Sequence, residues 1–215
     1  MTHKAQPAPS EAVVGRAQAL AQSLLDVSLS AVGLVVLSPA LVAASALIVL
    51  DDGAPLLFRQ ERLGQGRVPF RLLKLRTMRD GRITRAGKWL RTTGLDEVPQ
   101  FWNVVRGEMS VVGPRPLTQR DVVRLGWHGP EHDVRFFAKP GLTGPVQVMG
   151  AISAADSLEL EREYLARRSM GLDLAIIGAT AGILVLGKDR VHTRMRQALA
   201  SFRRHSQGAR VAEPG

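Results

Sequence analysis

The sequence predicts an α+β fold attached to a membrane. Three features carry that prediction: a long uncharged run near the start, two short strand-like stretches joined by a glycine-containing turn, and helical spacing through much of the remainder. The run is Val27–Leu50, 24 residues without a charge, bounded by Asp26 and Asp51-Asp52. About 20 such residues suffice to cross roughly 30 Å of hydrocarbon, and a helix that is apolar all round suits lipid better than a protein core. The run is too long for a secretory signal. Ser38-Pro39 lies near its middle, where proline removes a backbone hydrogen bond and crowds the preceding turn. Two topologies are compatible with this. One is a kinked spanning helix; the other enters, breaks at Ser38-Pro39 and returns to the same face, its Ala40–Leu50 arm covering about 16 Å. Between Arg59 and Arg91 there are 11 Arg or Lys against Glu61 and Asp80, which puts this side in the cytoplasm. The N-terminal flank (Lys4, Glu11, Arg16, Asp26) gives no comparable counter-signal, so the residues alone leave both topologies open.

Along the chain, residues 1–12 read as a disordered start and residues 13–52 as an interfacial helix (Val13–Leu25) followed by the membrane segment. Residues 53–187 read as one cytoplasmic domain and residues 188–215 as a basic helix or tail, loosest over Arg203–Gly215. Within the domain, Pro55–Arg59 and Val68–Arg76 are strand-like and joined by Leu63-Gly-Gln-Gly-Arg67, a hairpin signal. Arg79, Arg82, Arg85, Lys88 and Arg91 recur every third residue, which on a helix makes a basic stripe. With Trp89 and Leu90 interleaved beside a membrane segment, that stripe suits anionic headgroups. Leu95–Arg106 is expected as a helix ending at Gly107, Val111–Pro116 and Lys139–Gly144 as loops, and Val146–Met149 as a strand. Ala154–Arg168 has helical character, with acids early and Arg167-Arg168 late, matching the macrodipole. Leu174–Gly187 is apolar but too short to span, so a packed or interfacial helix is expected.

Composition narrows the chemistry. The 215 residues contain no cysteine, which excludes disulfides, thiolate metal sites and cysteine nucleophiles. The net charge is +10, and 24 of the 29 cations are Arg, whose planar fork grips phosphate. A phosphate-rich partner follows: nucleic acid, nucleotide or an anionic membrane surface. Of the five histidines, only His128 and His132 have near-helical spacing, and Gly129-Pro130 between them argues against a metal site.

The candidate reactive group is the pair Asp96-Glu97, followed by Val98-Pro99. As structure, Asp96 or Thr93-x-x-Asp96 would cap a helix start. As chemistry, a carboxylate can attack phosphorus and split one displacement into two, provided cations first neutralise the phosphate. Lys74, Arg76 and Arg115 are candidates for that task. Lys74 and Arg76 stand at i and i+2 of a strand-like stretch, on one face. Arg115 lies between Pro114 and Pro116, which stiffen the backbone on both sides. No P-loop or Rossmann fingerprint occurs.

Read in order, these blocks resemble the bacterial sugar transferases, the monotopic phosphoglycosyl transferases of polyprenyl phosphate. The resemblance rests on Ser38-Pro39 within the apolar run, Phe58-Arg-Gln-Glu-Arg-Leu-Gly64, Lys74-Leu-Arg-Thr-Met78 and Arg82-Ile-Thr-Arg85. It continues in Leu95-Asp-Glu-Val-Pro-Gln100 with Trp102-Asn103, Met109-Ser-Val-Val-Gly-Pro-Arg-Pro116 and Lys139-Pro-Gly-Leu-Thr-Gly144. It is strong over Leu24–Gly150, weaker over Leu158–Leu186, and closest to the family's minimal form. It implies a re-entrant helix-break-helix at Ser38 and Pro39, at the cytoplasmic face of the bacterial inner membrane. It also implies Asp96 as nucleophile on the β-phosphate of a UDP-sugar, with UMP leaving, and Glu97 as metal ligand or proton acceptor. Asp96 and Glu97 would hold Mg²⁺. Lys74, Arg76, Arg115, Gln60, Arg85 and Gln100 match positions expected to bind substrate, and polyprenyl (undecaprenyl) phosphate would receive the phosphosugar. Such a protein binds no nucleic acid, and a homo-oligomer is compatible with it. Glu108, Met149 and Ala151 depart from the family pattern and bear on the choice of substrate.

Two other readings stand beside this one. A non-enzymatic, membrane-anchored basic module would bind nucleic acid or acidic partners, although aromatic stacking residues are scarce. A direct glycosyl transferase would release UDP in place of UMP.

Overall fold

The computed structural model describes residues 9–150, 153–186 and 193; the basic C-terminal segment 188–215, apart from Thr193, and Ala151 lie outside the described residues. Helix α1 runs from Pro9 to Asp52 in one piece. It therefore begins inside the stretch expected as a disordered start and absorbs the expected interfacial helix. The expected break at Ser38-Pro39 is likewise a continuous helix, and the reason is local. Pro39 cannot donate to the carbonyl of Val35 one turn back, but the Ser38 hydroxyl donates to that same oxygen at 2.7 Å. The acceptor that proline abandons is satisfied within the helix.

One stripe of α1 faces the remainder of the protein: Gln22, Asp26, Ser30, Gly33, Leu37, Leu41, Ala44, Ile48 and Asp52 are buried or half-buried. The other faces are apolar and bare, with Val35 73% and Leu50 84% exposed, a surface that water tolerates poorly over such a length. Both ends of the apolar run bond to the same body. Asp26 accepts from the Ser110 hydroxyl at 2.7 Å and from the Val111 amide at 3.0 Å, and Asp51 accepts from the Ala86 amide at 2.9 Å.

Strands β1 (Leu57–Leu63) and β2 (Pro69–Leu75) form the expected antiparallel hairpin, with Phe58 opposite Lys74 and Arg62 opposite Phe70. The next residues fold into a two-residue ribbon, β3 (Met78–Arg79) with β4 (Arg82–Ile83), and then α2 (Arg85–Thr93). The basic stripe is thus divided: Arg79 and Arg82 sit on the ribbon, and only Arg85, Lys88 and Arg91 are helical. Thr84 caps α2 by accepting from the Gly87 amide.

Residues 95–97 form a 3₁₀ turn, and α3 follows at Gln100–Val105, ending before Gly107 at φ +76°. Neither start carries a side-chain cap, and Thr93 instead bonds back to carbonyls of α2. The capping role considered for Asp96 is not realised. Strand β5 (Ser110–Val112) pairs in parallel with β6 (Gly141–Thr143), so each expected loop contributes a short strand. Between them lie α4 (Gln119–Arg124) and a 3₁₀ segment over Pro130–Phe136. The expected strand at Val146–Met149 is helix α5 (Pro145–Met149): Pro145 supplies helical φ at the first turn, and Gly150 at φ +77° ends it. Helices α6 (Ala154–Ala166) and α7 (Met170–Leu186) complete the fold.

The main core joins Phe70 and Leu72 of β2 to Val104, Met109, Val111, Val112, Val148, Tyr164 and Ile176. A second cluster gathers Leu63, Leu117, Val122, Trp127, Phe136 and Leu158. A third ties α1 to the domain through Ala44, Ile48, Leu75 and Leu90. Fully buried Asn103 sews α3 to β2: it accepts from the Leu73 amide and donates to the Arg71 carbonyl at 2.8 Å and to Glu108 at 2.6 Å.

Candidate active site

The face of the hairpin that carries Phe70 and Leu72 into the core also carries Phe58, Gln60, Arg62 and Lys74, and these four line a cleft of about 910 Å³. The turn before α3 brings Asp96 and Glu97 into the same cleft, α2 contributes Arg91, and the Pro114-Arg115-Pro116 segment contributes Arg115. Arg76 also lines it, just past the end of β2. Beyond this charged end, the wall is made by Leu142, Thr143, Val146, Gln147, Ser157 and Thr180, with the hydroxyls of Thr143 and Thr180 2.6 Å apart.

Asp96 is only 8% exposed yet faces the cleft. Burial, and then the adjacent charge of Glu97, push its carboxyl above the usual aspartate range, against the pull of Lys74 and Arg91. A carboxylate short of water and beside a like charge is a stronger base than a free one, and so a better nucleophile once ionised. Glu97 is more open and is held by Lys74, Nζ to Oε1 at 2.5 Å.

Each expected site residue now has a place. Asp96, Glu97, Lys74, Arg76, Arg115 and Gln60 all line the cleft. The guanidinium of Arg76 is engaged there already: it meets Asp52 at 2.7 Å and donates to the carbonyls of Asp52 and Gly53. It thereby covers the last carbonyls of α1, where a cation opposes the helix dipole. Gln60 accepts from Arg62 at 2.6 Å. Arg85 is exposed on α2, and Gln100 is buried at the start of α3; neither is part of the cleft lining. Met149 is buried beside the cleft residues Gln147 and Gly150 without lining it, and Glu108 serves Asn103.

Sequence reasoning passed over Arg62 and treated Arg91 only as part of a stripe. Arg62 sits in the quoted block Phe58–Gly64, and its alternation with Gln60 on one strand face was the available signal. Asp96 and Glu97 offer two hard oxygen donors, the number that Mg²⁺ commonly takes from protein when phosphate oxygens and water fill the other positions. Among the described residues no group of three or more acidic or histidine side chains gathers at this site or any other, so protein would supply at most these two carboxylates to such an ion.

A buried carboxylate in a cation-lined cleft, on a domain fastened to a long apolar helix, defines a membrane-associated protein whose cleft suits an anionic ligand. The chain belongs to the bacterial sugar transferase family, whose model matches residues 17–187. It is 37% identical over 187 residues to a UDP-glucose:undecaprenyl-phosphate glucose-1-phosphate transferase of Caulobacter vibrioides, a match covering 77% of this chain and 70% of that one. It is 32% identical to a UDP-N-acetylgalactosamine-undecaprenyl-phosphate N-acetylgalactosaminephosphotransferase of Aeromonas hydrophila over 76% of this chain and 43% of the relative. A UDP-glucose:undecaprenyl-phosphate glucose-1-phosphate transferase of Klebsiella pneumoniae is 36% identical over 73% of this chain and 38% of its own length. The chain thus matches less than half the length of the latter two.

Proposed function

We propose that the protein transfers a sugar-1-phosphate from a UDP-sugar to polyprenyl (undecaprenyl) phosphate, at the cytoplasmic face of the bacterial inner membrane. The observation that carries this is Asp96, buried but open to a cleft that holds Lys74, Arg62, Arg91 and Arg115. An Asp96 carboxylate oxygen attacks the β-phosphorus. The bond from that phosphorus to the bridging oxygen breaks, and UMP leaves with that oxygen. An oxygen of the polyprenyl phosphate then attacks the same phosphorus, freeing the Asp96 carboxylate and leaving a polyprenyl-diphosphate-sugar. Lys74 and Arg115 hold the diphosphate against the repulsion of the incoming carboxylate. Asp96 and Glu97 would hold Mg²⁺, which neutralises phosphate charge when bound.

The two ends of the apolar run support a monotopic placement. A helix that crossed the bilayer would carry Asp26 to the far side, whereas Asp26 and Asp51 both bond to this one domain. An anchor of this kind holds a soluble nucleotide sugar and a lipid phosphate at one interface, and proximity supplies part of the rate.

The test incubates detergent-solubilised protein with UDP-glucose, UDP-galactose and N-acetylated UDP-hexoses, polyprenyl phosphate and Mg²⁺. UMP is expected from wild type, with release reduced at least ~10³-fold in Asp96→Asn. UDP release, or an unimpaired Asp96→Asn, overturns the reading. For topology, single cysteines at positions 20 and 53 are both expected to label from the cytoplasmic side only.

A further inference from the structure

The least expected charges in the molecule are Arg135 and Glu161, whose side chains are each 2% exposed. They come from unrelated elements, the 3₁₀ segment Pro130–Phe136 and the middle of α6, and meet in a two-pronged pair: Nε to Oε2 at 2.9 Å and Nη2 to Oε1 at 3.1 Å. The rings of Trp127 and Phe136 lie 4.9 and 5.5 Å from the Arg135 guanidinium carbon and keep water away. Burying two charges costs several kcal/mol per ion, and well-packed apolar side chains often stabilise a core at least as well. Stability alone is a poor account of such a pair.

Its remaining hydrogen bonds go to one residue. The Arg115 amide donates to Glu161 Oε1 at 3.2 Å, and Arg135 Nη2 donates to the Arg115 carbonyl at 2.9 Å. Because Pro114 and Pro116 lack N–H groups, the Arg115 amide is the only backbone donor in this segment, and the buried glutamate takes it. The neighbouring carbonyls are also bound, Pro114 by the Gly141 amide at 2.9 Å and Pro116 by Arg62 at 3.1 Å. The Arg115 backbone is thus fixed at every polar atom, while its side chain is exposed and lines the same cleft as Asp96 and Glu97.

We propose that Arg135 and Glu161 are positioning residues for the reaction, a buried clamp on the Arg115 backbone that aims its guanidinium at the substrate diphosphate. This rests on the phosphate-transfer reading of the cleft. A misplacement of about 1 Å costs an enzyme on the order of 10²-fold, so Glu161→Gln is expected to lower kcat/KM for UMP release by about 10–100-fold.

A four-cornered cycle separates aiming from folding. Wild type, Glu161→Gln, Arg115→Ala and the double variant are compared for UMP release, with UDP binding measured in parallel by tryptophan fluorescence. If the clamp acts through Arg115, Glu161→Gln costs no more than about twofold once Arg115 is alanine. The same loss in both backgrounds, or no loss in either, overturns the proposal. The paired change Arg135→Met with Glu161→Leu guards against a folding effect: it is expected to keep the melting temperature and lose activity, and wild-type activity in that variant refutes the clamp. Should wild type release no UMP from any UDP-sugar, the function reading falls by itself, and the same cycle in UDP affinity still decides the clamp: a loss confined to chains that retain Arg115 upholds it, and any other pattern overturns it.

Discussion

Lys74 and Glu97 meet in the wall of the cleft, Nζ to Oε1 at 2.5 Å, although 23 residues separate them in the chain. Lys74 stands near the end of β2, opposite Phe58, and Glu97 closes the turn that also presents Asp96. In the proposed mechanism Lys74 binds phosphate and Glu97 metal, so substrate entry would exchange one partner for another and expose no bare charge. Replacing Lys74 by Gln leaves shape but removes that cation. The apparent affinity for the UDP-sugar should fall about 10–100-fold, the worth of a charge-assisted hydrogen bond, measured as KM in the UMP assay. Unchanged KM would show that Lys74 serves Glu97 alone.

In the proposed mechanism the acid limb of the rate profile should report Asp96. Burial and the charge of Glu97 raise its carboxyl above the ordinary range, and the anion is the reactive form, so activity is lost on acidification at a higher pH than for a free aspartate. Glu97→Gln removes one of those causes and moves the limb to lower pH, whatever it does to the maximal rate. Stability has the opposite sign. Between the unfolded and the raised folded value the native state binds the extra proton, so the native protein gains stability as pH falls through that window. Asp96→Asn should abolish this gain, as read from urea unfolding in detergent at a series of pH values.

The end of the membrane helix depends on Arg76. Its guanidinium and that of Arg79 both reach Asp52, whose side chain is 14% exposed. Arg76→Ala leaves the Asp52 carboxylate short of a partner and uncovers the carbonyls of Asp52 and Gly53. A loss of roughly 2–3 kcal/mol is expected, or a melting temperature lower by about 5–10 °C in a protein of this size. Asp52→Ala introduced on top should cost little more, because all that its side chain still holds is the exposed Arg79.

Gly87 permits α2 to lie against the chain at Thr77. A Cβ there would stand 2.1 Å from the Thr77 carbonyl oxygen, and backbone cannot move aside as a flexible side chain could. Gly87→Ala should destabilise by about 1–3 kcal/mol through overpacking. Since α2 also carries Arg91 into the cleft, the UDP-sugar KM should rise with it. Wild-type stability would mean that α2 shifts freely.

Much of this molecule could be read before any coordinate was seen. The uncharged run between Asp26 and Asp51, the hairpin about Leu63–Arg67, and an acid pair downstream of a cation-rich segment are all visible along the chain. Periodicity, length and charge are properties of neighbouring residues, so they survive without a fold. The same local view left Ser38-Pro39 open between a kinked helix and a break, because it registers the hydrogen bond proline loses and not the hydroxyl beside it that replaces the donor.

Tertiary structure alone decided which cations share the cleft. Arg62 and Arg91 enter it, Arg85 stays on the surface, and Arg76 lines it while bound to the end of α1. It also brought Arg135 to Glu161, 26 residues away, and closed both around Arg115. Which residues are charged is written in the chain. Which charge meets which depends on distances between segments far apart in sequence, and those distances exist only once hairpin, helices and membrane anchor have packed together.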